Sequence, residues 1–177
     1  NNAGFGGHGY FHERSWEEEE KMMQLNMVTL SQLCHLYIPF MLKRNSGKIL
    51  NIASSAGLIP GGPIQSTYFA TKAFVVSLTN GISGELKGTS VSITALCPGA
   101  TDTGFEKRAG LEDTPLFSGK LFSAKGVALD GYNAMMKGKR QKKTAIGFMN
   151  SINMFFIPFI PNGIVLNMIK NMQIKKK

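Results

Sequence analysis

Residues 48–99 read KILNIASSAGLIPGGPIQSTYFATKAFVVSLTNGISGELKGTSVSITALCPG. Lys48 to Ser54 is a short run rich in Ile and Leu, as a buried strand would be. Gly57 to Gln65, with Pro60, Gly61, Gly62 and Pro63, is a loop. A helix is expected from about Thr67 to Leu86, ended by Lys87-Gly88-Thr89. Ser90 to Leu96 alternates and reads as a second strand, which Cys97-Pro98-Gly99 is expected to break. Strand, helix, strand at this spacing is a βαβ unit, so the sheet is at least partly parallel.

Upstream, Asn1-Asn2-Ala3-Gly4 reads as a strand end entering a glycine-rich loop, Gly4 to Gly9. Ser15-Trp16-Glu17-Glu18 carries the marks of a helix start, with Ser15 as N-cap. The helical pattern runs to about Leu42, and Pro39 is expected to bend or end it. Asn45-Ser46-Gly47 is a turn. Downstream, residues 99–122 look irregular. Ser123 caps a helix to about Met136, and Lys143 to Ile146 is a candidate strand. From Thr144 to Ile169 no residue is charged. Prolines 158 and 161, glycines 147 and 163 and four asparagines interrupt that stretch, so no apolar run approaches the roughly 20 residues a membrane span needs. Two short apolar helices folded over a cleft are expected there.

The formal charge of +9 is unevenly placed. Residues 1–119 hold nine Lys/Arg against ten Asp/Glu, and residues 120–177 hold eleven against Asp130 alone. The C-terminal third therefore carries +10, suited to an anionic phosphate, a membrane surface or plain solvent. No aromatic interleaving points to nucleic acid. Cys34 and Cys97 sit in apolar segments and read as buried thiols, not a disulfide framework. No Cys/His spacing suggests a metal, and His8, His12 and His35 read as loop or core residues. No secretory signal opens the sequence, so a reducing cytoplasmic setting is the expectation.

Tyr68 and Lys72 are four apart, one turn along one helix face. A phenol has a pKa of about 10, and a nearby ammonium favours its ionised form, so the pair is a tunable acid/base. Spacing alone leaves a surface coincidence open. Ser55 lies at a strand end, thirteen residues before Tyr68, where parallel sheets bind ligands. Its hydroxyl could donate to a carbonyl oxygen as charge develops. Ser54 is its neighbour, and strand alternation allows only one of the two to face the cleft. Asn26 lies mid-helix, where asparagine is a poor former. It is either solvent-facing or holds water at a local kink. Thr101 and Thr103, beyond Pro98-Gly99, offer hydroxyls to an amide or phosphate.

Asn1-Asn2-Ala3-Gly4, Asn26, Ser54-Ser55-Ala56-Gly57, Tyr68-x-x-x-Lys72 and Pro98-Gly99-x-x-x-Thr103 together resemble the short-chain dehydrogenase/reductase family, over roughly residues 1–104. The resemblance implies an α/β fold of the Rossmann type, a doubly wound parallel sheet, and an NAD(P) cofactor, NADP being slightly favoured. It implies hydride transfer between the nicotinamide and a carbonyl or secondary alcohol, on a small apolar substrate. Tyr68 takes the role of general acid/base, and Lys72 lowers its pKa and holds the nicotinamide ribose. Ser55 orients the carbonyl, and Asn26 steadies a proton-relay water. Asn2, Ala3 and Gly4 line the adenosine side of the cofactor, and Pro98, Gly99, Thr101 and Thr103 flank the nicotinamide. A homo-oligomer formed through the helix of Tyr68 and Lys72 is also implied. Thr71 stands where the family more often has Ser.

The family's Thr-Gly-x-x-x-Gly-x-Gly turn, which seats a pyrophosphate at a helix N-terminus, does not occur in this sequence. Gly4 to Gly9 is no substitute, because it follows the Asn-Asn-Ala-Gly strand. The expectation is an N-terminally truncated piece of a longer enzyme, without the first strands. Residues 1–147 form the C-terminal part of the dinucleotide-binding and catalytic domain. Residues 148–177 form an apolar helical extension with a basic tail, resembling ketoacyl-reductase and hydroxysteroid-dehydrogenase members, and the extension raises membrane association as an alternative.

Overall fold

The structure, a computed structural model, describes residues 1–119, 121–144 and 156–175, with the backbone alone for 141–144. Among the described residues, five strands and five helices order the chain. They are α1 (Trp16–Lys43), β1 (Gly47–Ile52), α2 (Ser66–Glu85), β2 (Val91–Pro98), β3 (Thr101–Asp102), α3 (Phe105–Ala109), β4 (Phe122–Ser123), α4 (Ala124–Met136), β5 (Gln141–Thr144) and α5 (Asn162–Gln173). Short 3₁₀ turns cover Ser55–Leu58 and Ile157–Phe159.

The main sheet is parallel, in the order β1-β2-β5. Gly47 to Ile52 pair in register with Val91 to Leu96, and Ala95 to Pro98 with Gln141 to Thr144. Asn1 lies along the other side of β1: its backbone nitrogen donates to the Leu50 carbonyl at 2.8 Å and its carbonyl accepts from Ile52 N at 3.0 Å. The opening residues thus sit as the end of a parallel strand, as their pattern predicted.

Alternation along the strands divides the core. Ile49, Val91, Ile93, Ala95 and Cys97 pack against Leu30 and Cys34 of α1 and Val75 and Val76 of α2. Leu50 and Leu96 point to the opposite face, where α4 covers them. The helix comes close enough that a Cβ on Gly131 would lie 2.6 Å from Leu96. Helices on both faces of a parallel sheet make the doubly wound arrangement. Cys34 and Cys97 are buried and form no disulfide.

Several boundaries moved from their expected positions. β2 runs through Cys97 and Pro98. The ladder to β1 ends at Ile52 and Leu96, so the missing proline N–H costs no bond on that side. Pro39 lies inside α1, which continues to Lys43. Ser15 occupies the N-cap without a side-chain bond, whereas the Ser123 hydroxyl does accept from Gly126 N at 3.2 Å. Residues 99–122, expected to be irregular, hold β3 and α3, and β3 pairs in parallel with β4. β5 starts at Gln141, two residues before the expected strand, so Lys142 and Lys143 belong to it. Residues 145–155, including the expected boundary at 147–148, lie outside the described residues.

Among the described residues one helix, α1, is long and apolar enough by length and composition to cross a membrane. Its buried positions Met22, Asn26, Leu30 and Cys34 face the protein interior. Four-residue steps would drift around a regular α-helix by about 40° each. The turn Gln24–Thr29 is instead a π-helix, wound more widely, and it slows that drift near Asn26. α5 docks on the catalytic side: Ile169 packs against the cluster of Met22, Ala56, Tyr68 and Phe69, Leu116 N donates to the Met172 carbonyl at 3.1 Å, and His8 Nε2 lies 2.8 Å from the Gln173 carbonyl.

Candidate active site

Tyr68 stands in the first turn of α2, on the face turned to the end of β1. It is buried against Met22, Ala56 and Phe69. The Phe105 ring, from α3, lies 5.3 Å from its own, centroid to centroid. Lys72, one turn on, is also buried. Its Nζ donates to the Ile52 carbonyl at 2.9 Å and lies 5.9 Å from the Tyr68 ring centroid. The 3₁₀ turn after β1 presses on this part of α2: a Cβ on Gly57 would lie 2.4 Å from the Lys72 carbonyl oxygen. The strand end and the helix thus meet backbone to backbone at Lys72.

Ser54, not Ser55, is the serine at the phenol. β1 continues extended past its last paired residue, with Ser54 at φ −170°. Period-two alternation then puts Ser54 on the side of Ile52, which lines the cavity. Ser55 has already turned into the 3₁₀ helix. A hydrogen bond from the Ser54 hydroxyl favours the Tyr68 phenolate. The same hydroxyl accepts from Ala56 N at 3.1 Å.

Asn26 is fully buried on the π turn. Its Nδ2 donates to the Phe5 carbonyl at 2.9 Å and to Thr71 Oγ1 at 3.1 Å, and its Oδ1 accepts from Phe5 N at 3.2 Å. The amide therefore clasps the chain after Gly4 as a neighbouring strand would. Thr71 completes the link by donating to the Tyr68 carbonyl at 2.8 Å. The helix is irregular at Asn26, as a π turn, and the buried side chain excludes the solvent-facing alternative.

Burial dominates the electrostatics. It pushes the Tyr68 phenol up to about 12, against the opposing bond from Ser54. It also holds the Lys72 ammonium down to about 8. This corrects the expectation that the ammonium depresses the phenol: Lys72 is turned to the Ile52 carbonyl, and desolvation of the phenolate is the larger effect. Near neutral pH Tyr68 therefore holds its proton.

A cavity of about 550 Å³ opens beside these groups. Asn2, Gly4, Tyr68, Lys72, Pro98, Thr101 and Thr103 line it. Ala3 and Gly99 do not. Ala3 points away by alternation along an extended segment, and the Gly99 carbonyl is used to accept from Thr101 Oγ1 at 2.9 Å. Thr103 Oγ1 accepts from Phe105 N at 3.2 Å and steadies the start of α3. Arg108 and Phe117 also reach the cavity, and Ala124, Val127 and Ala128 of α4 close its floor. The Arg108 guanidinium lies 5.2 Å from the Phe5 ring centroid. Phe105 and Arg108 escaped notice in the sequence because they belong to a short helix with no periodic signal. Thr71 was visible there only as an exchange for serine. Among the described residues no cluster of His, Cys, Asp and Glu could hold a metal.

The dimensions and chemistry suit the nicotinamide half of a dinucleotide. The volume lies within the range of small-molecule sites. A Cβ at Gly4 would lie 2.9 Å from Asn26 Oδ1 and 3.5 Å from Lys72 Nζ. A side chain there would crowd the wall beside Lys72.

Comparison with known proteins agrees with this geometry. The family model described as short chain dehydrogenase matches residues 1–113. The chain belongs to that family. The ketoacyl reductase HetN of Nostoc sp. is 35% identical over 150 residues, covering 82% of this chain and 49% of the relative. A very-long-chain 3-oxoacyl-CoA reductase of Anas platyrhynchos is 35% identical over 79 residues, covering 45% of this chain and 25% of its own length. A solved short-chain dehydrogenase from Sphingobium yanoikuyae, in complex with NADPH, superposes with a TM-score of 0.75 at 24% identity. That match covers 90% of this chain and 64% of the other. One from Burkholderia phymatum, in complex with NAD, superposes with a TM-score of 0.75 at 23% identity, covering 99% and 68%. These structures establish the Rossmann-type fold. The chain spans about half the length of the curated relatives it matches.

Proposed function

We propose that the protein is an NAD(P)-dependent oxidoreductase acting on a carbonyl or secondary alcohol. The observation that carries this reading is the meeting of Tyr68 and Lys72 on one cavity wall, with Ser54 hydrogen-bonded to the phenol, at the C-terminal end of a parallel strand. A nicotinamide dinucleotide bound there supplies or accepts the hydride. Lys72, with Asn2, Gly4, Pro98, Thr101 and Thr103, would hold it.

In reduction, protonated Tyr68 donates its hydroxyl proton to the carbonyl oxygen as negative charge gathers there. The phenol's high pKa keeps it in the acid form. Ser54 donates a hydrogen bond to the same oxygen and orients it. The Lys72 ammonium, 5.9 Å from the ring centroid, offsets only part of the cost of burying the phenolate left behind. Asn26 fixes the chain at Phe5 and the start of α2. With its amide occupied, a relay water would meet its backbone carbonyl. In oxidation the same phenolate accepts the proton. Leu96, Phe105, Phe117 and Val127 give the cavity an apolar wall, which supports an apolar substrate. The preference for NADP over NAD is checked by the ratio of cofactor KM values. Exposed Leu33, Leu36, Tyr37 and Phe40 on α1 support association with a second copy.

Tyr68→Phe in the full-length polypeptide tests the mechanism. The ring still packs on Phe105, and only the proton is lost. Carbonyl reduction should fall by about 10²- to 10⁴-fold, with cofactor binding retained by fluorescence titration. Near wild-type turnover would sink the mechanism.

A further inference from the structure

The inner side of α5, Val165, Ile169 and Gln173, meets the rest of the protein. Its apolar arc does not stop there. At about 100° per residue, Ile164, Met168 and Met172 form an adjoining stripe. That stripe is exposed, Ile164 at 55% and Met168 at 57%. Phe159, in the turn just before the helix, is 78% exposed, and Ile174 continues the stripe beyond its end. Together these residues present a row of large apolar side chains along one uncovered side of a twelve-residue helix.

Residues 144–177 carry four lysines and no acidic residue. Lys170 stands in the last turn of α5, and the sequence ends Lys175-Lys176-Lys177. Residues 120–177 as a whole carry +10. A second copy laid on the same stripe would bring like charges together. An anionic bilayer answers both features, since apolar side chains enter the acyl boundary while lysines meet lipid phosphates.

We propose that α5, with Phe159, docks the protein on an anionic lipid surface. Phe159, Ile164, Met168, Met172 and Ile174 insert, and Lys175 pairs with headgroups. The adjoining side of the helix, through Ile169, packs against the cluster of Met22, Ala56, Tyr68 and Phe69. The assignment is independent of the catalytic reading, because vesicle binding is measured without turnover.

The test is co-sedimentation of the full-length polypeptide with vesicles of phosphatidylcholine alone or with about 30 mol % phosphatidylglycerol. The bound fraction should rise about tenfold or more on the anionic vesicles, and the gain should be lost in about 0.5 M salt. Phe159→Ser with Met168→Ser should lower partitioning about tenfold or more. Its melting temperature should be unchanged, because both side chains are exposed. Replacing Lys175, Lys176 and Lys177 by Gln should remove most of the preference for anionic lipid. Absence of wild-type binding, or binding of the serine variant equal to wild type, overturns the proposal. So does a dimer that the serine variant dissociates while vesicle binding is absent, because a second copy is then the occupant.

Discussion

Asn51 and Gln173 are both fully buried amides, one at the heart of the β1–α2–β2 unit and one at the last turn of α5. Asn51 is bonded on every side. Its Oδ1 accepts from Asn1 Nδ2 at 2.8 Å, its Nδ2 donates to Thr79 Oγ1 at 2.9 Å, and the Cys34 sulfur lies within 3.7 Å. Neither amide atom of Gln173 has a hydrogen-bond partner among the described residues. A buried polar group left unbonded costs on the order of 1–3 kcal/mol. The first region is therefore a settled polar core, joining α1, β1 and α2. The second is a helix held by a few backbone bonds and one apolar side, at a standing cost.

Five substitutions probe that contrast, beginning with the largest effect. Asn51→Leu strips partners from Asn1 and Thr79 and should lower unfolding stability by about 3 kcal/mol or more, by urea titration. Ser54→Ala should lower kcat/KM for carbonyl reduction about 10²-fold, and Ser55→Ala by about twofold or less. Equal losses would return the role to Ser55.

Lys72 tests the cost of burying charge in the well-bonded unit. Its folded pKa is about 8, down from 10.5. Between those values the unfolded chain binds the extra proton, so stability rises with pH, by up to about 1.4 kcal/mol per unit. Tyr68 works in the opposite sense, its pKa raised from 10.0 to about 12. Its contribution is complete below pH 10 and is lost as pH climbs toward 12. Lys72→Met should flatten the rise between pH 8 and 10 in unfolding titrations. Gln173→Leu gives the smallest change and the reverse sign, a gain of up to about 1 kcal/mol. A loss instead would show that the amide is bonded after all.

The β1–α2–β2 unit was legible because its signals are local. A four-residue spacing brought Tyr68 and Lys72 together, and a poor helix former at Asn26 marked the π turn. The serine was misread for a definite reason. Counting thirteen residues back from Tyr68 crosses a loop whose length carries no orientation. Counting forward along β1 keeps the pleat and places Ser54 beside Ile52. Phe105 and Arg108 were hidden because tertiary folding, not sequence spacing, brings a five-residue helix to the phenol. Burial hid the sign of the Tyr68 shift, since the sequence shows the ammonium four residues away but not the water excluded from around the ring.

The π turn at Gln24–Thr29 has a consequence for how α1 can change over generations. A wide turn of this kind holds one residue more than the α-helix around it would. Closing that turn to α geometry with every residue kept would rotate one half against the other by about 100°. Asn26 would swing away from Phe5 and Thr71, or Leu30 and Cys34 would leave the sheet. The helix can therefore lose one residue at this turn and keep the facing of its two halves, but it cannot straighten at constant length without parting the site from the core.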